Sequence, residues 1–200
     1  MIAICEIDDY PRGGLEIFEI LDEIKSNHPD FKMTIFAIPY EMNDENYKPI
    51  EERKDWIRLG VHGWKHENKE FNFNGKRWPL RVIKKIESLP YNFAKIFKPR
   101  AYSYTLATIE ALKEREYTVC MRTRMDVLGA NYRYAEWFEE IKTNIGIKAV
   151  MKYEQDFKFF YGHVGPRRRI DNFAKLYRKK FKKQIGNYEF KFSEELAEWI

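Results

Sequence analysis

His62 and His66 stand four residues apart in the stretch VHGWKHE, and they make up half of the chain's four histidines. Asp8 and Asp9 are adjacent in EIDDY, where the apolar run IAICEID ends, and His163 closes another apolar run, FKFFYGH. These five side chains are of the types suited to metal ligation and proton transfer. A buried strand that ends in two neighbouring carboxylates is costly, because like charges that close resist joint ionisation. A divalent cation beside them relieves the cost. Two neutral imidazoles and one carboxylate form a facial set that leaves coordination positions open for water and substrate. Histidines at i and i+4 face the same way if their segment is helical, and Gly63 permits a sharp turn after the preceding strand. Alone, such a spacing arises readily by chance. Together with the strand-terminal acids it reads as a metal site.

The surrounding pattern says what must hold these residues. Ile2 to Asp8 reads as a buried strand. A helical stripe follows Gly13 and Gly14, with Leu15, Ile17, Phe18, Ile20, Leu21 and Ile24 on one face. Phe31 to Pro39 reads as a second strand, stopped by its proline. Pro49 opens a predicted helix through PIEERKDWIRLG that ends at Gly60, and a very short strand at Val61 leads into the histidine pair. RVIKKIESL reads as helix, AKIFKP as strand, and TLATIEALKERE as a helix with Thr105 as its cap. YTVCM, IKAVM and FKFFYGH read as strands, with YAEWFEEIKTN unassigned between the first two. A basic helix, a strand YEFKF and a short helix after Ser193 complete the chain. Alternating strands and helices with short links imply a parallel sheet, open or closed into a barrel. Ligands collect at the carboxyl ends of such strands, which is where Asp8, Asp9, His62, His66 and His163 fall.

A chain of 200 residues suits one domain spanning 1–200. No apolar run is long enough to cross a membrane, and the N-terminal residues lack a basic segment followed by an apolar one, so a cytoplasmic protein is expected. Cys5 and Cys120 lie in short apolar runs and are expected as free core thiols. Much of the excess in the net charge of +5 comes from Arg167 to Arg169 and from Lys175 to Lys183. In the latter stretch Phe173, Leu176, Tyr177 and Phe181 recur at helical intervals, so the lysines form the solvated face of an amphipathic helix and nucleic acid is not an expected partner. Arg12 to Gly14 resemble a phosphate loop only superficially, with no GxxxxGK[ST] pattern in the chain.

EIDD, VHGWKHE and YGHVG, in this order, resemble the motifs of the NodB-homology polysaccharide deacetylase superfamily, also grouped as carbohydrate esterase family 4. The segment IFKPRAYSYTLATIEALKEREYTVCM is similar to that family's middle region, and the resemblance runs from Ile2 to about Phe192. It implies a deformed (β/α) barrel with fewer than eight strands, one divalent metal ion, zinc by preference, and an acetylated amino sugar as substrate. The reaction implied is hydrolysis of the N-acetyl group, with metal-bound water as the nucleophile. By the same resemblance Asp8 is the catalytic base, Asp9, His62 and His66 are the metal ligands, and His163 is the general acid. Arg100 takes the place of the arginine that orients the base, with Lys98 as the alternative, and Asp126 is a loose counterpart of the aspartate that tunes the acid histidine. The chain also departs from the pattern. Glu6 and Ile7 precede the aspartates where Thr-Phe is usual, and strand alternation puts Glu6 on the face of Asp8. Gly63 stands where serine or threonine is usual, removing a hydroxyl. Trp64 and Trp137 suit core packing at least as well as sugar stacking, and a tyrosine, Tyr102 or Tyr104, is a further candidate for the cleft. Arg167 to Arg169 would meet a phosphate-bearing substrate at its rim. Two other readings stay open: an inactive module that binds an anionic glycan or nucleic acid, and an amide or ester hydrolase with a non-sugar substrate.

Overall fold

The structure is a computed structural model and describes residues 2–72, 74–100, 103–121, 132–134, 140–141, 147–150, 157–163 and 188–198, with the backbone register alone from 120 to 163. The first strand, β1 (Ile2–Tyr10), is buried almost throughout, as its apolar run requires of a strand covered on both faces. Its side chains divide by parity: Ala3, Cys5 and Ile7 pack into an apolar cluster with α1 (Ile17–Asn27), while Glu6 and Asp8 belong to the other face. Helix α1 buries Ile17, Phe18, Ile20, Leu21 and Ile24, the stripe read from the sequence. Cys5 is a free buried thiol, and burial, then the charge of Glu6, pushes its pKa well up, so it serves as core.

The elements then run β2 (Met33–Ala37), a 3-10 turn (Pro39–Glu41), α2 (Asp44–Glu51), β3 (Ile57–Val61), α3 (Arg77–Glu87), β4 (Ile96–Phe97), α4 (Leu106–Glu114) and β5 (Thr118–Met121). Short strands β6 (Tyr132–Tyr134), β7 (Glu140–Ile141) and β8 (Ile147–Val150) precede β9 (Phe157–His163), β10 (Glu189–Lys191) and a closing 3-10 helix (Ser193–Glu198). All the described strands join one sheet in the order β6-β5-β4-β3-β2-β1-β9-β8-β7, with β10 beside the start of β1. Every pairing from β6 across to β9 is parallel, whereas β8 runs antiparallel to β7 and β9. Six of the parallel strands, β5-β4-β3-β2-β1-β9, form a curled half-barrel flanked by helices, the deformed (β/α) barrel of fewer than eight strands that the sequence implied. A second apolar cluster joins Val61, Phe97 and Val119 to α3 and α4.

Among the described residues, one predicted element differs. The helix expected from Pro49 to Gly60 is instead α2 followed by β3. Asn43 and Asn46 form a reciprocal capping box (2.9 Å each way) that starts α2 upstream of Pro49, which sits inside it. Residues 57–61 pair with β2 over five consecutive positions, so the ladder claims IRLGV as strand. Gly60 fits because Phe36 lies across it: a Cβ there would come within 2.8 Å of the ring.

Candidate active site

Neighbouring residues on a regular strand point to opposite faces, so Asp8 and Asp9 cannot both serve one site without a break in β1. The break is present: Asp9 adopts a left-handed φ of 67°, and the β1–β2 register shifts between Ile7 and Tyr10. On β3 the ladder runs one residue past the strand, with the His62 amide donating to Ala37 O at 2.7 Å. His62 Nδ1 is 2.9 Å from the carbonyl oxygen of Lys98, which can only accept, so Nδ1 is the donor of this pair and Nε2 is the nitrogen left to face Asp9. That Nε2 lies 3.5 Å from Asp9 Oδ1, and His66 Nε2 lies 2.8 Å from the same oxygen. One ligating atom from each of Asp9, His62 and His66 falls within 4.8 Å of the others.

The histidines do not meet as a helical pair. Residues 62–66 form a loop, with Gly63 at φ 69° and His66 at φ 61°, and it is this loop that brings the rings to 4.9 Å. Its shape depends on Glu70, which sequence reasoning missed. The Glu70 carboxylate accepts from the amides of Trp64 (3.0 Å) and Lys65 (2.8 Å) and fills the space a Cβ on Gly63 would enter. A carboxylate from the following loop thus fixes the turn at Gly63. A glycine beside an otherwise conventional motif was the available signal. Trp64 is a packing residue, buried with the Tyr40 ring edge-on at 5.6 Å.

His66 Nδ1 is 3.0 Å from the Arg12 guanidinium, which also grips both oxygens of Glu41. The bond to Glu41 raises the pKa of Arg12. Guanidinium nitrogens only donate, so His66 Nδ1 accepts in this pair, and ligation of an ion through Nε2 would require the other tautomer, with Arg12 keeping its pairing with Glu41.

Inside the barrel, Lys98 Nζ lies 2.9 Å from Asp8 Oδ1 and 2.8 Å from Glu6 Oε2, with all three side chains no more than 2% exposed. The group expected to reach Asp8 was Arg100, and it does not do so: its guanidinium bonds Asn68 Oδ1. Distance along the chain explains the difference. Ile96 packs with Phe36 and Phe97 with the α3–α4 cluster, so Lys98, directly after β4, continues the face of Ile96, over the Phe36 ring at 4.6 Å, while Arg100 lies past Pro99, beyond the end of the strand. Glu6 therefore belongs to the site's support, as its parity with Asp8 implied.

The donor chemistry fits a divalent cation. Asp9 offers a carboxylate, the two imidazoles offer nitrogens, and His62 has its outer nitrogen anchored on a carbonyl, an arrangement that orients metal-binding histidines. Glu6 and Asp8 face the one buried ammonium of Lys98, while the buried carboxylate of Asp9 lies against the two imidazoles. His163 closes β9, in register with Asp8 on β1. Asp126, Tyr102, Trp137, Arg167 to Arg169 and the basic stretch Lys175 to Lys183 lie outside the described residues.

No family model matches this sequence, and no curated protein does. The fold, in contrast, has clear counterparts. A family 4 acetyl xylan esterase from Clostridium thermocellum, in complex with a cobalt ion, superposes with a TM-score of 0.63 at 15% identity, covering 100% of this chain and 91% of that one. A peptidoglycan N-acetylglucosamine deacetylase gives 0.62 at 16% identity, over 96% of this chain and 85% of the other. A family 4 pseudoenzyme from Bacillus anthracis gives 0.60 at 14% identity, over 98% and 65%. These likenesses show that the chain shares the fold of these family 4 structures, the fold that the sequence motifs implied.

Proposed function

We propose that this chain is a metal-dependent hydrolase that removes the N-acetyl group from an amino sugar. The observation that carries the reading is the convergence of Asp9, His62 and His66 at the carboxyl ends of β1 and β3, on a fold of this kind. The mixed imidazole–carboxylate set suits zinc. When bound, the ion supplies Lewis acidity to the acetyl carbonyl and to water. Asp8, tied to Lys98 through Oδ1, takes the proton of the attacking water with its other oxygen. Lys98 keeps that carboxylate in place and, through its own carbonyl, holds the ring of His62. His163 returns a proton to the departing amine, a task suited to an imidazole. Beside Arg12 opens a cavity of about 360 Å³, lined also by Glu41, Asn43 and Glu45, whose acceptors suit sugar hydroxyls.

The test is acetate release from a panel of N-acetylated amino sugars, read beside the metal content of the same samples. The wild type is expected to bind about one equivalent of divalent ion and to release acetate, while His163→Ala loses ~10²–10⁴-fold in kcat and keeps the ion. Ion bound with no acetate from any amino sugar, but turnover of a simple ester or non-sugar amide, would assign the site to that other substrate class.

A further inference from the structure

We infer that Glu6 and Ser193 are positioning residues of this site, which fix Lys98 and through it both Asp8 and His62; the inference rests on the function proposed above. Lys98 is the junction. Its ammonium meets Asp8 and its carbonyl meets His62 Nδ1, so a shift of this one residue would disturb a proton acceptor and an ion ligand together. A lysine ammonium is a point charge on a flexible stem, and a single acceptor leaves it free to pivot. Glu6 Oε2 provides the second acceptor at 2.8 Å.

Glu6 is itself held from the far end of the chain. Ser193 Oγ donates to Glu6 Oε1 at 2.6 Å, and the Ser193 amide donates to Thr34 Oγ1 on β2 at 3.1 Å. Ser193 and Thr34 are completely buried. Strand β10, just before Ser193, pairs with Ile2 to Ile4 of β1, so a backbone ladder delivers the hydroxyl beneath Glu6. The C-terminal segment is thereby part of the catalytic support: Ser193 sets Glu6, Glu6 sets the ammonium, and the ammonium sets Asp8.

The experiment compares the wild type with Glu6→Gln and Ser193→Ala in three measurements. Steady-state kinetics on an N-acetylglucosamine oligomer are expected to show kcat lower by roughly tenfold or more in Glu6→Gln and by a few-fold in Ser193→Ala, with KM nearly unchanged in both. Calorimetric titration with Co²⁺ is expected to retain the wild-type stoichiometry. The third measurement does not depend on turnover: in protein carrying nitrogen-labelled lysine, the buried ammonium of Lys98, assigned by its loss in Lys98→Arg, gives a slowly exchanging resonance. That resonance is expected to vanish in Glu6→Gln and to exchange faster in Ser193→Ala. An unchanged Lys98 resonance in Glu6→Gln, or a kcat equal to wild type, overturns the inference. A wild type that neither binds Co²⁺ nor releases acetate overturns the proposed function instead, and the lysine resonance still decides whether Glu6 and Ser193 fix the ammonium.

Discussion

Two clusters of mixed charge in this molecule have opposite composition and opposite surroundings. In the barrel interior one ammonium, Lys98, sits between the carboxylates of Glu6 and Asp8, and none of the three exceeds 2% exposure. At the surface one carboxylate, Glu87 at the end of α3, sits between Lys95 ahead of β4 and Arg115 behind α4, whose side chains are 48% and 38% exposed. The surface cluster stitches element ends together in contact with water, where screening keeps such pairs weak. The interior cluster has given up its water, and its attraction must offset the desolvation of three charges. Apolar side chains of similar volume would stabilise the same space as well or better. The interior charges are therefore explained by what they hold, namely Asp8 and the ring of His62, rather than by stability.

The largest effect should come from breaking the interior cluster. Lys98→Met leaves two buried carboxylates without their cation, and denaturant unfolding should show a loss of ~3–5 kcal/mol. A loss below about 1 kcal/mol, the scale of exposed pairs, would erase the distinction between the two clusters. Next comes the loop that carries the histidines. Gly63→Ala forces a side chain into a left-handed φ of 69° and onto Glu70. It should cost ~1–3 kcal/mol of stability. It should also weaken Co²⁺ binding by ~10–100-fold, whereas unchanged Co²⁺ affinity would show that the loop's shape does not set the ligands.

The smallest effect belongs to the surface. Burial alone would raise the pKa of the Glu87 carboxyl, but the hydrogen bonds from Arg115 and then Lys95 outweigh it and hold the group below its ordinary value of 4.5. A lowered folded-state pKa means the stabilisation is present above 4.5 and fades as pH falls through the folded value. Thermal melts of wild type and Glu87→Gln should therefore differ slightly near neutral pH and converge in acid. A difference that grows in acid would contradict the assignment.

Much of this was legible in the sequence because period and punctuation agreed. The α1 stripe, the strands of IAICEID and FKFFYGH, and the aspartate and histidine clusters at strand ends all follow from local pattern. Four features were not legible, each for a reason beyond local pattern. The strand β3 was read as the end of a helix, since only its ladder with β2 selects the extended form of IRLGV. The histidine spacing is compatible with a helix, and the loop geometry is imposed by Glu70 from beyond the motif. The choice of Lys98 over Arg100 turns on where β4 ends, since both residues have the same parity and only Lys98 directly follows the strand. Ser193 lies 187 residues from Glu6 in the chain, and only the pairing of β10 with β1 brings them together.

The central claim is that Asp9, His62 and His66 grip one divalent ion, and anomalous diffraction from a crystal grown with zinc tests it most directly. A single strong peak is expected with Asp9 oxygen and both His Nε2 atoms at ~2.0–2.2 Å, with His62 Nδ1 still on the Lys98 carbonyl. A peak elsewhere, or zinc held by none of these three side chains, would contradict it.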